Sequence, residues 1–215
     1  LGGIRGVALL LDAELTYPDH HEYTHIIMDE SDRLRSLVDR MLGSNKMLKL
    51  CETNIHEILE RVCTLIHAES AGKITIVRDY DPSIPEFLGD KGQLIQAFLN
   101  MSKNALQALS DQVDEGQDGI ITLRTRALRQ FTIGHSRHRL VLKVDIMDNG
   151  PGIPKDKLEA IFNRFQQLDE TESRRHGGVG IGLSISQQLV SAMKGQIGVE
   201  SELGQGALFW FELPL

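Results

Sequence analysis

Cysteine is scarce in this sequence: 215 residues hold two, Cys51 and Cys63. Two are too few for a disulfide framework. Both stand in stretches that read as helix, so buried free thiols of a reducing compartment are expected. Long apolar runs are also missing. No stretch approaches the ~18 residues that span a bilayer, and no basic, apolar, small-residue leader opens the chain, which reads as cytoplasmic with no membrane segment. Basic charge is in deficit, with 23 Lys+Arg against 30 Asp+Glu and a formal charge of −7. That balance argues against direct nucleic-acid binding and against attachment to an anionic membrane. With 41% hydrophobic and 25% charged residues and only six prolines, the composition excludes disordered, collagenous and low-complexity classes. At roughly 150 residues per domain, the length leaves room for one full domain and a smaller element.

What is present divides into two parts. The chain opens Leu1-Gly2-Gly3 with no initiating Met and enters an apolar helical pattern (Val7, Leu10, Leu11) at once. It reads as a piece of something longer. Residues 1–15 are expected as the end of a helix, Thr16-Tyr17-Pro18-Asp19 as a turn, and His21 to Leu42 as a second helix. Ile27, Leu34 and Met41 recur every seven residues there, and Tyr23, Ile26, Leu37 and Val38 widen the stripe. Two helices cannot bury such a stripe, so residues 1–42 are expected to form a four-helix bundle with a second copy, giving a homodimer. A hairpin packed on its own domain is the alternative. The expected layout is a partial helical hairpin at 1–43, a linker at 44–53, and a mixed domain at 54–215.

In the second part, Ile55, Ile58, Leu59, Val62, Leu65 and Ile66 mark a helix, Lys73 to Tyr80 a strand, and Asp81-Pro82-Ser83-Ile84-Pro85 an extended segment. A strong helix is expected over 90–110. Strands follow over 120–128 and 139–147, the second alternating Leu140, Leu142, Val144 and Ile146 with Val141, Lys143, Asp145 and Met147. Pro154 to Phe165 reads as helix, 166–182 as a polar Gly-rich lid, 183–193 as an amphipathic helix, and 196–201 and 207–213 as closing strands. The fold class is α+β: an α/β sandwich with a mixed, mostly antiparallel sheet covered by helices.

Three segments place polar groups where a nucleotide needs them. On the helix after Asp90, Gln96, Asn100, Lys103, Asn104 and Gln107 form one amide-rich stripe. An Asn carbonyl is a hard oxygen ligand that suits Mg²⁺ alongside phosphate and water. Next, Asp148-Asn149-Gly150-Pro151-Gly152-Ile153 follows a strand. An ionised Asp accepts from the exocyclic amine of adenine and repels the oxygen guanine presents there, while glycines admit a flat ring. Finally, Gly177-Gly178-Val179-Gly180-Ile181-Gly182-Leu183 opens into a helix whose free N–H groups suit phosphate. It lacks the Lys-Ser/Thr of a Walker P-loop and does not follow a strand as a dinucleotide fingerprint would. Each segment also has a plain structural reading: a solvated helix face, a tight turn, a hinge.

The order of the three segments resembles the bacterial sensor histidine kinases, within the ATPase superfamily shared with gyrase, the ninety-kilodalton heat-shock chaperone and MutL, which has the Bergerat fold. Residues 100–105 resemble the N box, 148–152 the G1 box, Ile161-Phe162-Asn163-Arg164-Phe165 the F box, and 178–183 the G2 box. The resemblance implies ATP and Mg²⁺ as cofactors, with Asn104 on the metal and Asn100, Lys103 and Gln107 beside it. It implies further that Asp148, Gly150, Gly152 and Ile153 form the base pocket and that Gly178, Val179, Gly180, Ile181, Gly182 and Leu183 lie at the phosphates. Phe162 and Phe165 would anchor the lid. Val179 stands where Thr is usual and Gln107 where Lys is common. Residues 1–42 resemble the dimerisation and phosphotransfer hairpin, and Asp32 to Arg40 and Arg78 to Pro85 are similar to the nitrogen-regulation (NtrB) type. Residues 165–169 and 198–206 are closer to large hybrid kinases, so a separate origin is an expectation for the last third.

The implied reaction is phosphorylation of a His, then transfer to an Asp of an NtrC-like response regulator, with a PII-type signalling protein as a further partner. In the family the acceptor His lies in a motif just before the residues matching Leu1-Gly2-Gly3, so it is expected outside this chain. His56-Glu57 mimics the motif without its Asn-Pro. Two other readings stand beside this one: a non-catalytic dimeric binding module, and a zinc site at His21-Glu22-Tyr23-Thr24-His25, whose spacing fits a metalloprotease helix.

Overall fold

The protein is described by a computed structural model covering residues 2–14, 21, 23–28, 30–31, 48–114, 116, 118–163 and 182–215. The chain forms two compact units, residues 1–46 and 47–215. In the first, α1 spans Gly2–Glu14, and positions 21, 23–28, 30 and 31 are also helical. Asp12 ties these segments together: its carboxylate accepts from the buried Thr24 hydroxyl and lies 2.8 Å from His21 Nδ1. Ile4, Val7, Leu9, Leu10, Leu11, Tyr23, Ile26 and Ile27 are exposed. Leu34, Leu37, Val38 and Met41 lie outside the described residues.

The second unit is a sheet with helices on one face. Its elements are β1 (Cys51–Thr53), α2 (Ile55–Glu69), β2 (Ile74–Asp79), β3 (Phe87–Gly89), α3 (Lys91–Asp114), β4 (Gly119–Ile133), β5 (Ser136–Asp148), α4 (Gly182–Ala192), β6 (Gln196–Ser201) and β7 (Ala207–Pro214). The main sheet runs β2-β4-β5-β7-β6, with β2 parallel to β4 and every other pair antiparallel. β1 and β3 pair separately.

Local chemistry explains the helices. Asn54 caps α2, its side-chain oxygen accepting from the His56 amide at 2.9 Å, and Ile55, Ile58, Leu59, Val62, Cys63 and Ile66 then fall on one buried stripe. The Asp90 carboxylate starts α3 by accepting from the amides of Gln93 at 3.1 Å and Lys49 at 2.9 Å. Leu94, Ala97, Phe98, Met101, Ala105 and Leu109 bury the inner side of α3. They meet Leu123, Val144, Ile146, Phe209 and Phe211 from the sheet. Phe98 and Phe211 stack at 4.7 Å between ring centroids.

Several expectations are corrected. Residues 154–165 are not an α-helix: the described part forms two 3₁₀ turns, Lys155–Lys157 and Ala160–Phe162. Leu158 and Ile161 lie three residues apart, and a three-residue turn puts both against the core. Residues 81–85 are not extended throughout, because the Asp81 carboxylate accepts from the Ser83 amide (2.9 Å) and hydroxyl (2.7 Å), closing a turn at Pro82-Ser83. Cys51 is exposed at the start of a strand, whereas Cys63 is buried in α2. Asp145, in the alternate set with Val141, Lys143 and Met147, is buried under its cross-strand partner Arg124, whose Nε lies 2.9 Å from Oδ2. The β4–β5 hairpin also runs beyond the expected strand ends, to Ile133 rather than 128 and from Ser136 rather than 139, meeting at the turn Gly134-His135.

Candidate functional site

The site is organised along α3. Asn100, half-buried on its outer side, donates from Nδ2 to the carbonyl of Gly182 at 3.1 Å and accepts at Oδ1 from Gln96 Nε2 at 3.0 Å. Gly182 is the first residue of α4, and a Cβ there would come within 3.3 Å of the Asn100 Cγ. Ser186, fully buried one turn into α4, secures the same junction by hydrogen bonds to the carbonyls of Gly182 (3.1 Å) and Ala97 (3.4 Å). Eight residues further along α3, Ala108 backs the turn after Asp148: a Cβ on Gly150 would sit 3.4 Å from the Ala108 Cβ. Asn104 lies between the two contacts, four residues from each, so about 6 Å of helix rise separates it from either. Its half-buried amide makes no hydrogen bond among the described residues.

Asp148 ends β5 with its carboxylate fixed. Oδ1 accepts from the amides of Gly150 at 2.9 Å and Ala207 at 3.2 Å. Oδ2 has no partner among the described residues. Burial raises the pKa of this carboxyl, and the two amide hydrogen bonds partly counter the rise. The result is a carboxylate with one oxygen held by backbone and the other free to accept.

The turn 148–153 is stitched to the β6–β7 turn, a contribution absent from the sequence reading. Ser201 Oγ donates to the Gly206 carbonyl at 2.6 Å and accepts from the Ile153 amide at 2.8 Å, and the Gly204 amide donates to the Pro151 carbonyl at 2.7 Å. The approach is too close for side chains. A Cβ on Gly206 would lie 1.9 Å from the Asp148 carbonyl oxygen and one on Gly152 2.1 Å from that of Glu202, and both glycines have positive φ. The only sequence signal was Gly204-Gln205-Gly206 just before a strand. Asn149 has a different role: its amide bonds to the Asp118 carbonyl (2.8 Å) and the Ile120 amide (2.7 Å), closing the end of the β4–β5 ladder.

The remaining candidates are placed as follows. Ile153 and Leu183 are buried, and Phe162 packs half-buried against the core. Lys103 points to α2, forming a 2.8 Å ion pair with Glu69, and Gln107 is exposed. Phe165, Gly178, Val179, Gly180 and Ile181 lie outside the described residues. His56 is engaged elsewhere: it stacks on Tyr80 with 5.0 Å between ring centroids, and Nε2 lies 3.1 Å from the Oγ1 of the buried Thr125. Burial lowers its pKa below the ordinary histidine value. Of the zinc-spaced histidines, His21 is held by Asp12 and His25 is exposed, and the described residues hold no cluster of three potential metal ligands.

Comparison with known proteins bears on this arrangement. Residues 89–215 match the family described as histidine kinase-, DNA gyrase B- and HSP90-like ATPase. The chain is 47% identical over 215 residues to the sensory histidine kinase/phosphatase NtrB of Vibrio alginolyticus, covering all of this chain and 58% of that protein. It is 42% identical over 197 residues to NtrB of Escherichia coli O157:H7, covering 92% of this chain and 53% of that one. The first of these matches covers the whole of this chain, the last third included. The chain spans a little over half the length of these curated relatives. Among solved structures, full-length ShkA in complex with AMPPNP superposes with a TM-score of 0.76 at 30% identity, over 99% of this chain and 42% of that one. Histidine kinase ThkA in complex with the response regulator TrrA shares the fold, with a TM-score of 0.63 at 24% identity over 98% of this chain and 56% of that one. Across the sheet, the Asp turn and the helix that joins them, this chain belongs to the histidine kinase-, DNA gyrase B- and HSP90-like ATPase family.

Proposed function

We infer that this chain is the ATP-binding catalytic portion of an NtrB-type sensor histidine kinase. One observation carries the reading: α3 places the Asn104 amide, which has no partner among the described residues, between the start of α4 and the turn that fixes Asp148. Asp148 selects adenine by accepting from its amine at Oδ2, and the glycines of its turn admit the ring. Phosphates lie toward the N-terminus of α4, where the helix dipole favours negative charge. Asn104 fits Mg²⁺, since its carbonyl is a hard oxygen ligand with no competing partner among the described residues, whereas both ends of the Asn100 amide are engaged. The bound metal would neutralise charge on the phosphates.

In the whole protein, a histidine nitrogen bonds to the γ-phosphorus as the bond to the ADP oxygen breaks. The phosphoryl group then passes to an aspartate of an NtrC-like response regulator, and a PII-type protein acts as a regulatory partner. The domain's contribution is positioning and charge stabilisation. The protein works in the cytoplasm as a homodimer, which would cover the exposed apolar residues of the first unit. The layout is a partial hairpin at 1–43, a linker at 44–53 whose last residues form β1, and the catalytic domain at 54–215.

Titration calorimetry tests this with ATP and the chain, with and without Mg²⁺, alongside Asn104→Ala. Magnesium is expected to strengthen ATP binding to the wild type and to have little effect on the variant. Equal Mg²⁺ dependence in both would remove Asn104 from the metal site. Failure of the wild type to bind ATP would favour the non-catalytic binding module.

A further inference from the structure

The most uneven feature of this acidic chain is its longest hairpin. Residues 119–144 contain Arg124, Arg126, Arg129, Arg137, Arg139 and Lys143 and no Asp or Glu, a formal +6 within a chain of −7, so the rest carries −13. The hairpin also overhangs its sheet. β2 pairs with β4 only as far as Arg124, and β7 pairs with β5 only from Val141 onward, whereas β4 and β5 pair with each other out to Ile133 and Ser136. Residues 129–140 therefore run past the flanking strands as a two-stranded arm about 20 Å long at ~3.3 Å per residue, with Ile133 buried near its tip.

Strand alternation sets the direction of the charge. Arg124, Arg126, Arg137, Arg139 and Lys143 occupy the face of β4 and β5 opposite Leu123, Leu142, Val144 and Ile146, the residues that pack on the helices. The inner cations are matched: Arg124 pairs with Asp145 at 2.9 Å, and Arg126 with Asp79 at 2.6 Å. The outer ones are not. Arg129, Arg137 and Arg139 are exposed and form no ion pair among the described residues.

We propose that this arm is a docking surface for the carboxylate-rich face of a partner protein. Three observations select that occupant. The cations with no ion pair among the described residues are all arginines, whose planar forks bind carboxylates with two parallel hydrogen bonds. Half-buried Leu128 shares the face of Arg137 and Arg139, and half-buried Phe131 lies on the other face with Arg129, supplying apolar contact of the kind that accompanies Arg in interfaces. The cationic stretch is short and the rest of the chain carries a net −13, so a compact acidic patch fits, whereas a nucleic acid longer than the arm would meet net repulsion.

The test is fluorescence anisotropy with a fluorescein-labelled decaglutamate peptide, using wild type and the double variant Arg137→Glu/Arg139→Glu. Labelled dT10 and sedimentation of the chain alone run in parallel. Expected are salt-sensitive peptide binding by the wild type, weakened about tenfold or more in the variant, and unchanged ATP binding in both. Absence of peptide binding, or equal binding by the variant, overturns the proposal. Tighter binding of dT10 than of peptide makes the arm a nucleic-acid surface, and self-association abolished in the variant makes its occupant a second copy; either result also overturns it.

Discussion

Replacing Asp148 with Asn changes a single atom and reverses the hydrogen-bonding sense of one side of the pocket. The amides of Gly150 and Ala207 both donate to Oδ1, so the Asn carbonyl oxygen must take that position and its NH₂ must take the position of Oδ2. A donor then faces the donating amine of adenine. The loss comprises a hydrogen bond to a charged acceptor, about 1.5–3 kcal/mol, and a buried donor left unmatched, about 1–2 kcal/mol more. ATP affinity should fall by about 3–4 kcal/mol, or about 10²–10³-fold. GTP, with an oxygen at that position, should lose nothing and gain relative to ATP. The fold should not suffer. Burial raises the Asp148 pKa, so the native state holds its proton more tightly than the unfolded chain, and stability present below the unfolded value is lost as pH rises from there through the raised folded one. Asn removes that loss, so at neutral pH the variant should melt no lower than the wild type. Calorimetry with both nucleotides and a thermal melt decide the matter. Unchanged ATP affinity, or an unfolded variant, would refute the reasoning.

Three further outcomes are expected. Ser201→Ala removes the link between the Ile153 amide and the Gly206 carbonyl, which should cost about 1–2 kcal/mol of stability in a denaturant titration. It should also weaken ATP several-fold, with Ser201→Thr recovering part of both. Gly206→Ala drives a Cβ into the Asp148 carbonyl at positive φ, and should lower stability by about 2–4 kcal/mol; a melting temperature equal to wild type would contradict the close approach. The lowered pKa of His56 means that the unfolded chain binds its proton more readily, so stability should fall as pH drops through about 6.5. His56→Gln should flatten that slope, read from chemical denaturation between pH 5 and 8.

Residues 55–69 and 91–114 were legible as helices because a 3.6-residue repeat of apolar side chains persists for several turns, and 139–147 as a strand because it alternates. The three polar segments could be picked out singly because each is local: an amide every turn, an Asp at a strand end, glycines entering a helix. Where signals were short, tertiary contact decided. Three residues at 51–53 and three at 87–89 have too little pattern to reveal a strand until they pair with each other. Residues 154–162 carried enough helical spacing to read as α, yet their packing against the core accommodates only 3₁₀ turns.

The sequence by itself determined which residues could meet a nucleotide, since hydrogen-bonding character and backbone freedom belong to residue type. Tertiary structure alone decided which of them converge. Asn100 meets Gly182 across 82 positions, Asp148 is held by the amide of Ala207 across 59, and Ser201 reaches back to Ile153 across 48. Lys103 belongs to the same polar stripe, yet it turns to Glu69 because helical rotation aims it at α2. Asp145 stays buried through its cross-strand arginine. No periodicity within a strand or helix encodes such pairings, because they arise only when the sheet's register and the packing of α3 on it are fixed together.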